Sequence, residues 1–201
     1  QAAPKHLNIS GAADLMACLT ASYDWQLNSL VTKSHQFSRE IYDGAQYLVG
    51  MLAENIDNIC EVNDDGIYFM CEAFRWVAEN SANMNHTMWE SASEHALFDT
   101  LEYVCHKGFL HGQVIGLTVY FMSLFQDNQH ERAVSMLKRL GIDITLQGLG
   151  ITEEQLRTSL RQAKDFVTEH NLRYTIIQAK PMTEEWIDMA VNKYKKDFQI
   201  A

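Results

Sequence analysis

The sequence has 201 residues, with 10 glycines, 2 prolines and a formal net charge of −10 from 16 basic and 26 acidic side chains. Its prolines are Pro4 and Pro181, so residues 5–180 contain none. Sandwiches and barrels need more turn residues than this, which predicts a mostly helical chain. The acidic balance argues against nucleic-acid binding, and no apolar run is long enough to span a membrane. The N-terminal residues lack a signal-peptide layout and no CxxC pair is present, so we expect a cytoplasmic protein with reduced cysteines.

Apolar spacing predicts four helices in the first half of the chain. The longest carries a stripe from Phe37 to Ile59 with steps of three and four residues. A turn is expected at 63–66 and a polar loop at 80–85. The four predicted helices cover about residues 11–30, 35–60, 67–79 and 88–104.

The second half of the chain has clearer start and stop signals. Thr152 and Gln155 form a capping-box pattern, Gly141 ends a short amphipathic segment, and Thr183 precedes the last helix. Residues 173–177 are β-branched and aromatic, which predicts one short strand. The predicted helices cover about residues 111–125, 131–140, 153–170 and 184–196. Together these elements predict an all-α multi-helix bundle, and we expect one helical domain over residues 1–201.

Three side chains are candidates for metal ligation. Asp14 lies near the start of the first predicted helix, His95 lies within the fourth, and His111 opens the next. Two consecutive antiparallel helices can bring such histidines face to face, and a mixed nitrogen and oxygen set suits zinc or ferrous iron with a coordination position left open. The residues alone are equally compatible with two hydrogen-bonded histidines and a carboxylate that favours a helix start.

Five short motifs carry a resemblance to a known family. They are Gly11-Ala12-Ala13-Asp14, Asp24-Trp25, Ser93-Glu94-His95, Leu110-His111-Gly112 and Arg173-Tyr174-Thr175-Ile176. In this order and spacing, over about residues 8–177, the chain resembles the C-terminal helical domain of the glycerol-1-phosphate dehydrogenases. That family is part of the superfamily that also contains dehydroquinate synthases and iron-containing alcohol dehydrogenases.

The resemblance implies a function and a set of ligands. Asp14, His95 and His111 would bind a catalytic metal, usually zinc, with iron as the alternative. The family reduces dihydroxyacetone phosphate with NAD(P), whose binding residues lie in an N-terminal α/β domain that is absent from this chain. We therefore expect a partial chain that is inactive alone and has a nucleotide-binding domain or subunit, a small-molecule substrate and further copies of itself as partners.

Three positions depart from the family pattern. Cys18 stands where the family has lysine, Asp99 replaces a second histidine four residues after His95, and Gln113 replaces glutamate. Losing a cation and gaining a carboxylate make the pocket less attractive to an anion, so the expected substrate is a small ketone or polyol, with or without phosphate. Asp99 is the candidate catalytic residue, as a further ligand or as a carboxylate that orients an imidazole; a solvated side chain is the alternative.

Two other functions are compatible with the sequence. The departures would also fit a non-catalytic helical module that serves oligomerisation or partner binding. A dehydroquinate synthase-like cyclisation is the third possibility, although Met88-Trp89-Glu90-Ser91 stands where that reaction would call for a basic segment.

Overall fold

The structure, a computed structural model, describes residues 3–199 and is helical throughout, without a strand in that range. Its helices in chain order are α1 (Lys5–Leu15), α2 (Ala17–Val31), α3 (Arg39–Glu61), α4 (Asp64–Met84), α5 (Ser93–Cys105), α6 (His111–Gln126), α7 (His130–Leu140), α8 (Leu146–Leu149), α9 (Glu153–Glu169), α10 (Ile176–Ala179) and α11 (Glu184–Asp197). The predicted all-α class is confirmed. None of these helices is long and apolar enough to cross a membrane.

Helix α6 forms the centre of the bundle. Its residues from Val114 to Ser123 are all buried, because apolar side chains occupy nearly every face rather than one stripe. It packs against α1, α2, α5 and α7, while α3 pairs with α4 and α9 covers α5 from the other side. The site described below therefore includes the first residue of the most deeply buried helix.

Local sequence signals set the later helices as predicted. Thr152 and Gln155 form a capping box at the start of α9, and Thr183 accepts a hydrogen bond from the backbone N–H of Trp186 at the start of α11. Gly141 ends α7 with φ of 63°. Short-range chemistry is sufficient to place these boundaries.

The prediction of one continuous helix at about residues 11–30 is wrong. Residues 5–31 form two helices that break at Met16, where the backbone N–H groups of Met16 and Leu19 bond to carbonyls three residues back. The break follows directly after Asp14, at the end of α1.

Three further boundaries in the first half are also wrong. The expected turn and loop around α4 are helical, because Asn63 caps its start by accepting the N–H of Gly66 and the helix runs on to Met84, before Asn85 ends it at φ of 53°. Helix α5 begins at Ser93 rather than near residue 88, since Met88 and Trp89 are buried in the preceding turns.

The predicted strand at residues 173–177 is wrong. Thr175 caps the short helix α10 in a capping box with Gln178, and the N–H of Ile176 bonds to the buried carboxylate of Asp24. A lone strand has nothing to pair with in a helical bundle, and these side-chain bonds satisfy the backbone instead. The short helix α8 has no counterpart in the sequence analysis.

All four cysteines are free, but the apolar helical pattern around them, which favours buried thiols, is a correct guide only for Cys18; Cys60 and Cys105 are half-buried. Cys18 is buried, whereas Cys71 is exposed on α4.

Candidate metal centre

The three candidate ligands lie together at the junction of three helices. Asp14 is in the last turn of α1, His95 is in the first turn of α5, and His111 is the first residue of α6. One donor atom from each side chain lies within 4.8 Å of the other two. The sequence analysis predicted this grouping, although the chain separation of 16 residues or more gives no local reason for it.

A close approach of two backbones places His111 beside Asp14. A Cβ on Gly112 would overlap the carbonyl oxygen of Ser10 on α1, so only glycine lets the start of α6 lie this close to α1. This accounts physically for the His-Gly pair in the sequence.

The distances within the group match those between the ligands of a single ion. His111 Nε2 lies 3.2 Å from Asp14 Oδ1 and 3.3 Å from His95 Nε2, and His95 Nε2 lies 3.8 Å from the same oxygen. Four tetrahedral ligands at the usual zinc bond length of about 2.0–2.1 Å are separated by about 3.3–3.4 Å. The spacing fits one small divalent cation.

An unpartnered oxygen gives independent support for this fit. Asp14 Oδ1 is buried and accepts no hydrogen bond, although His111 Nε2 is only 3.2 Å away. Leaving such an oxygen unsatisfied costs about 1–3 kcal/mol unless something binds it. Its lone pairs and those of the two imidazole nitrogens are available to a shared cation, so the residues present fit a metal.

Charge at the centre is dominated by carboxylates. Burial lowers the pKa of His95, but the hydrogen bond and charge of Glu94, followed by the charge of Asp14, outweigh it, so the pKa lies above its ordinary value. The side chains of Asp14, His95 and His111 are 29%, 23% and 46% exposed, so the centre is accessible from solvent.

A polar cavity of about 200 Å³ opens beside His95. Asp99, Thr87, Ser91 and Arg173 line it, and Arg173 donates a hydrogen bond of 2.8 Å to Thr87. The cavity therefore combines hydroxyl groups, a carboxylate and a guanidinium, which together can hold a small polar molecule. The sequence analysis noted Arg173 only as part of a motif and did not identify Thr87 or Ser91.

Asp99 lies in this cavity and not in the three-residue group. Burial raises its pKa, the charge of His95 opposes that shift, and Glu102 adds to it. Its carboxyl group is thus available to a molecule in the cavity rather than to an ion held at Asp14.

Cys18 and Gln113, the other two positions that depart from the family pattern, have unrelated surroundings. Cys18 lines a separate cavity of about 70 Å³ with Asp14 and Glu90, and burial followed by the charge of Glu90 raises the pKa of its thiol. Gln113 donates to the carbonyl of Asp143 and so connects α6 to the turn before α8. Neither residue contacts the cavity that holds Asp99.

The sequence analysis did not identify two buried carboxylates near the candidate metal centre, Glu94 and Asp24. Glu94 contacts His95 directly, and Asp24 accepts the N–H of Ser93 and so fixes the start of α5. They belong to the motifs Ser-Glu-His and Asp-Trp, but aspartate and glutamate side chains are usually exposed, so nothing in the sequence marked these two as buried.

The fold and this group together define a helical bundle with a solvent-accessible Asp-His-His cluster where α1, α5 and α6 meet. No protein-family model matches the chain. The chain is similar to curated proteins named glycerol-1-phosphate dehydrogenase (NAD(P)+): one from Staphylothermus marinus at 29% identity over 189 residues, one from Nitrosopumilus maritimus at 28% over 186, and one from Aeropyrum pernix at 26% over 196. These matches confirm the resemblance drawn from the motifs.

The matches cover nearly all of this chain and only part of each relative. They span 91%, 90% and 95% of the chain but 51%, 50% and 53% of the respective relatives. The chain therefore spans about half the length of the curated relatives it matches.

Proposed function

We propose that this chain is the metal-binding catalytic half of an NAD(P)-dependent dehydrogenase that reduces a small ketone to a polyol or polyol phosphate. The observation that carries the proposal is the convergence of Asp14 Oδ1, His95 Nε2 and His111 Nε2 beside a polar cavity. The names of the relatives support the same reaction class.

Asp14, His95 and His111 would hold the metal, zinc in the first instance and ferrous iron as the alternative. When bound, the ion supplies Lewis acidity that polarises a carbonyl oxygen and stabilises the developing alkoxide. Three protein ligands leave a coordination position for water or substrate.

The side chains around the cavity bind and orient the substrate. Arg173 is the cationic side chain among the residues that line it and would contact a phosphate or terminal hydroxyl, with Thr87 and Ser91 as further partners. Asp99 is the proposed catalytic residue: its carboxyl group lines the cavity, where burial raises its pKa, and it would donate the proton that the product hydroxyl gains.

The hydride donor would be NAD(P)H, bound by a nucleotide-binding domain or subunit that these 201 residues do not include. Such a partner, a homo-oligomeric assembly and a cytoplasmic location stay predictions. The gene sequence tests the prediction of a nucleotide-binding partner. We expect the same or the adjacent reading frame to encode an α/β nucleotide-binding domain. If no such domain is encoded there, a non-catalytic module becomes the better account.

Zinc binding by the purified chain tests the metal site. We expect one zinc per chain, bound with an affinity at least about 100-fold lower in Asp14→Asn and in His111→Ala. Removing a residue that only hydrogen-bonds to a metal ligand typically lowers affinity about 10–100-fold, and removing the ligand itself should cost more. His6→Ala, which removes an exposed histidine from the same helix as Asp14, is the matched control and should bind like the wild type. Equal affinity in all four proteins would refute the site.

A further inference from the structure

Glu94 is a fully buried carboxylate at the start of α5, with 0% exposure. Its Oε2 accepts the hydroxyl of Thr20 at 2.7 Å, and its Oε1 accepts the N–H of Ala92 at 2.7 Å. Burying a carboxylate is expensive unless it is paired and hydrogen-bonded, so a group retained here calls for an explanation beyond solvation.

The remaining partner of Glu94 is a candidate metal ligand. Glu94 Oε1 lies 3.0 Å from His95 Nδ1, while His95 Nε2 lies on the opposite side of the ring, 3.3 Å from His111 Nε2. A carboxylate acceptor at Nδ1 selects the tautomer that carries its proton there and leaves the Nε2 lone pair free. The ring is therefore oriented toward Asp14 and His111.

The charges around Glu94 point the same way. Within residues 3–199, no lysine or arginine lies within ion-pair distance of this carboxylate, and its ionic contact is His95. Its position in the first turn of α5 is favourable for a negative charge, but a helix terminus alone does not require the side chain to be fully buried.

We propose that Glu94 is a positioning residue for the metal site, and this inference rests on the proposed function. Its carboxylate accepts Nδ1–H of His95, fixes the ring so that Nε2 faces the metal position, and increases the electron-donating strength of that nitrogen. Glu94 itself does not touch the metal or the substrate.

Glu94→Gln tests the charge with little change of shape. The glutamine carbonyl can accept from both Ala92 and His95, and Thr20 can turn its hydroxyl to the carbonyl of Ala17, 3.2 Å away. We expect the zinc affinity of the full 201-residue chain to fall about 10–100-fold. Glu90→Gln is the matched control, because Glu90 is a nearby half-buried carboxylate that accepts a hydrogen bond from Ser81 and affects His95 only through its charge, so the loss of zinc affinity should be smaller.

A double-mutant cycle separates positioning from a structural role at the start of α5. If Glu94 acts through His95, the loss caused by Glu94→Gln should disappear in a His95→Ala background, where Asp14 and His111 still bind zinc weakly. A loss of equal size in both backgrounds, or wild-type affinity in the single variant, would overturn the inference.

Nitrogen NMR of the zinc-loaded wild type needs no variant and stays informative even where a substitution unfolds the chain. The expected signals for His95 are a protonated Nδ1 and a metal-bound Nε2; a metal-bound Nδ1 contradicts the inference. A wild type that binds no zinc refutes the proposed function itself, whereas zinc binding that is insensitive to Glu94→Gln refutes only the role of Glu94.

Discussion

Single side chains determine what this centre can bind. Asp14 contributes an oxygen that no hydrogen bond satisfies, and the two histidines contribute nitrogens 3.3 Å apart. Without an ion, the two nitrogens can share one N–H···N hydrogen bond, which leaves the Asp14 oxygen unsatisfied. A divalent cation satisfies all three atoms at once, which is why the geometry carries the metal proposal further than the residue types do.

The residues of the candidate site could be predicted from the sequence only in part. Asp14, His95 and His111 were identified through the motifs around them, since eight histidines in the chain offer many pairs by spacing. The contact between Glu94 and His95 could not be predicted, because adjacent residues on a helix do not usually face each other. Its contact depends on the first turn of α5, whose start is fixed by tertiary bonds.

Asp24 gives a pH dependence that can be tested. Burial raises its pKa to about 7, although bonds from the N–H groups of Ser93 and Ile176 oppose the shift. The folded state thus holds this proton more tightly than the unfolded chain, so the contribution of Asp24 to stability is complete below about pH 4 and is lost as the pH rises through 7.

Urea unfolding between pH 4 and pH 8 measures this effect. The free energy of unfolding should fall with pH more steeply in the wild type than in Asp24→Asn, whatever the absolute stability of the variant. Asp165→Asn, an exposed position on α9, should keep the wild-type slope. Parallel slopes for wild type and Asp24→Asn would mean that this carboxylate does not titrate in the range.

Helices differ in whether the sequence or the tertiary structure sets their ends. The start of α9 follows from Thr152 and Gln155 alone and was predicted. The start of α5 follows from Asp24 and Glu94, which bond to the N–H groups of Ser93 and Ala92, so no local pattern marks it. The other oxygen of the same carboxylate, Asp24 Oδ1, accepts the N–H of Ile176 and so helps to make the expected strand at 173–177 the start of α10.

Contact between α1 and α6 makes Gly112 a sensitive position. Gly112→Ala should move α6 away from Ser10, lower the stability of the chain by at least the 1–3 kcal/mol typical of overpacking, and weaken zinc binding because His111 moves with the helix. Gly50→Ala is the control: its Cβ would meet only Arg132 at an ordinary 3.6 Å, and it should stabilise α3 by about 0.5–1 kcal/mol. Unchanged zinc affinity in Gly112→Ala would show that this close approach does not position the site.

A cap far from the centre separates stability from metal binding. Thr152→Ala removes the hydroxyl that accepts the N–H of Gln155 and should cost about 1 kcal/mol in urea unfolding. Zinc affinity should stay at the wild-type value, since α9 contributes no ligand. A parallel loss of zinc would indicate that global stability, and not the three ligands, governs metal binding.

The proposed site forms only when the chain folds, because the three candidate ligands come from α1, α5 and α6 and have no fixed relation in the unfolded state. Zinc should therefore bind the folded chain preferentially and stabilise it by about 2.7 kcal/mol at a free concentration 100 times the Kd. Thermal unfolding with zinc and with a chelator measures the shift; in Asp14→Asn, with its expected affinity at least about 100-fold lower, the stabilisation at the same zinc concentration should fall to about 0.4 kcal/mol or less. A shift of the same size in that variant would place the ion elsewhere.

The sequence predicts the fold class of the molecule but not the cavity beside the candidate metal centre. The all-α class followed from sparse glycine and proline, since helices need few turn residues. The cavity formed by Thr87, Asp99 and Arg173 was not accessible, because it depends on how α5 packs beside the segment before α10. Such packing is decided by contacts between residues far apart in the chain.

Anomalous diffraction at the zinc absorption edge, from crystals of the chain grown with zinc, tests the central claim most directly. We expect one strong peak at about 2.0–2.2 Å from Asp14 Oδ1, His95 Nε2 and His111 Nε2. An empty site at saturating zinc, or a peak bound by other residues, would contradict the account.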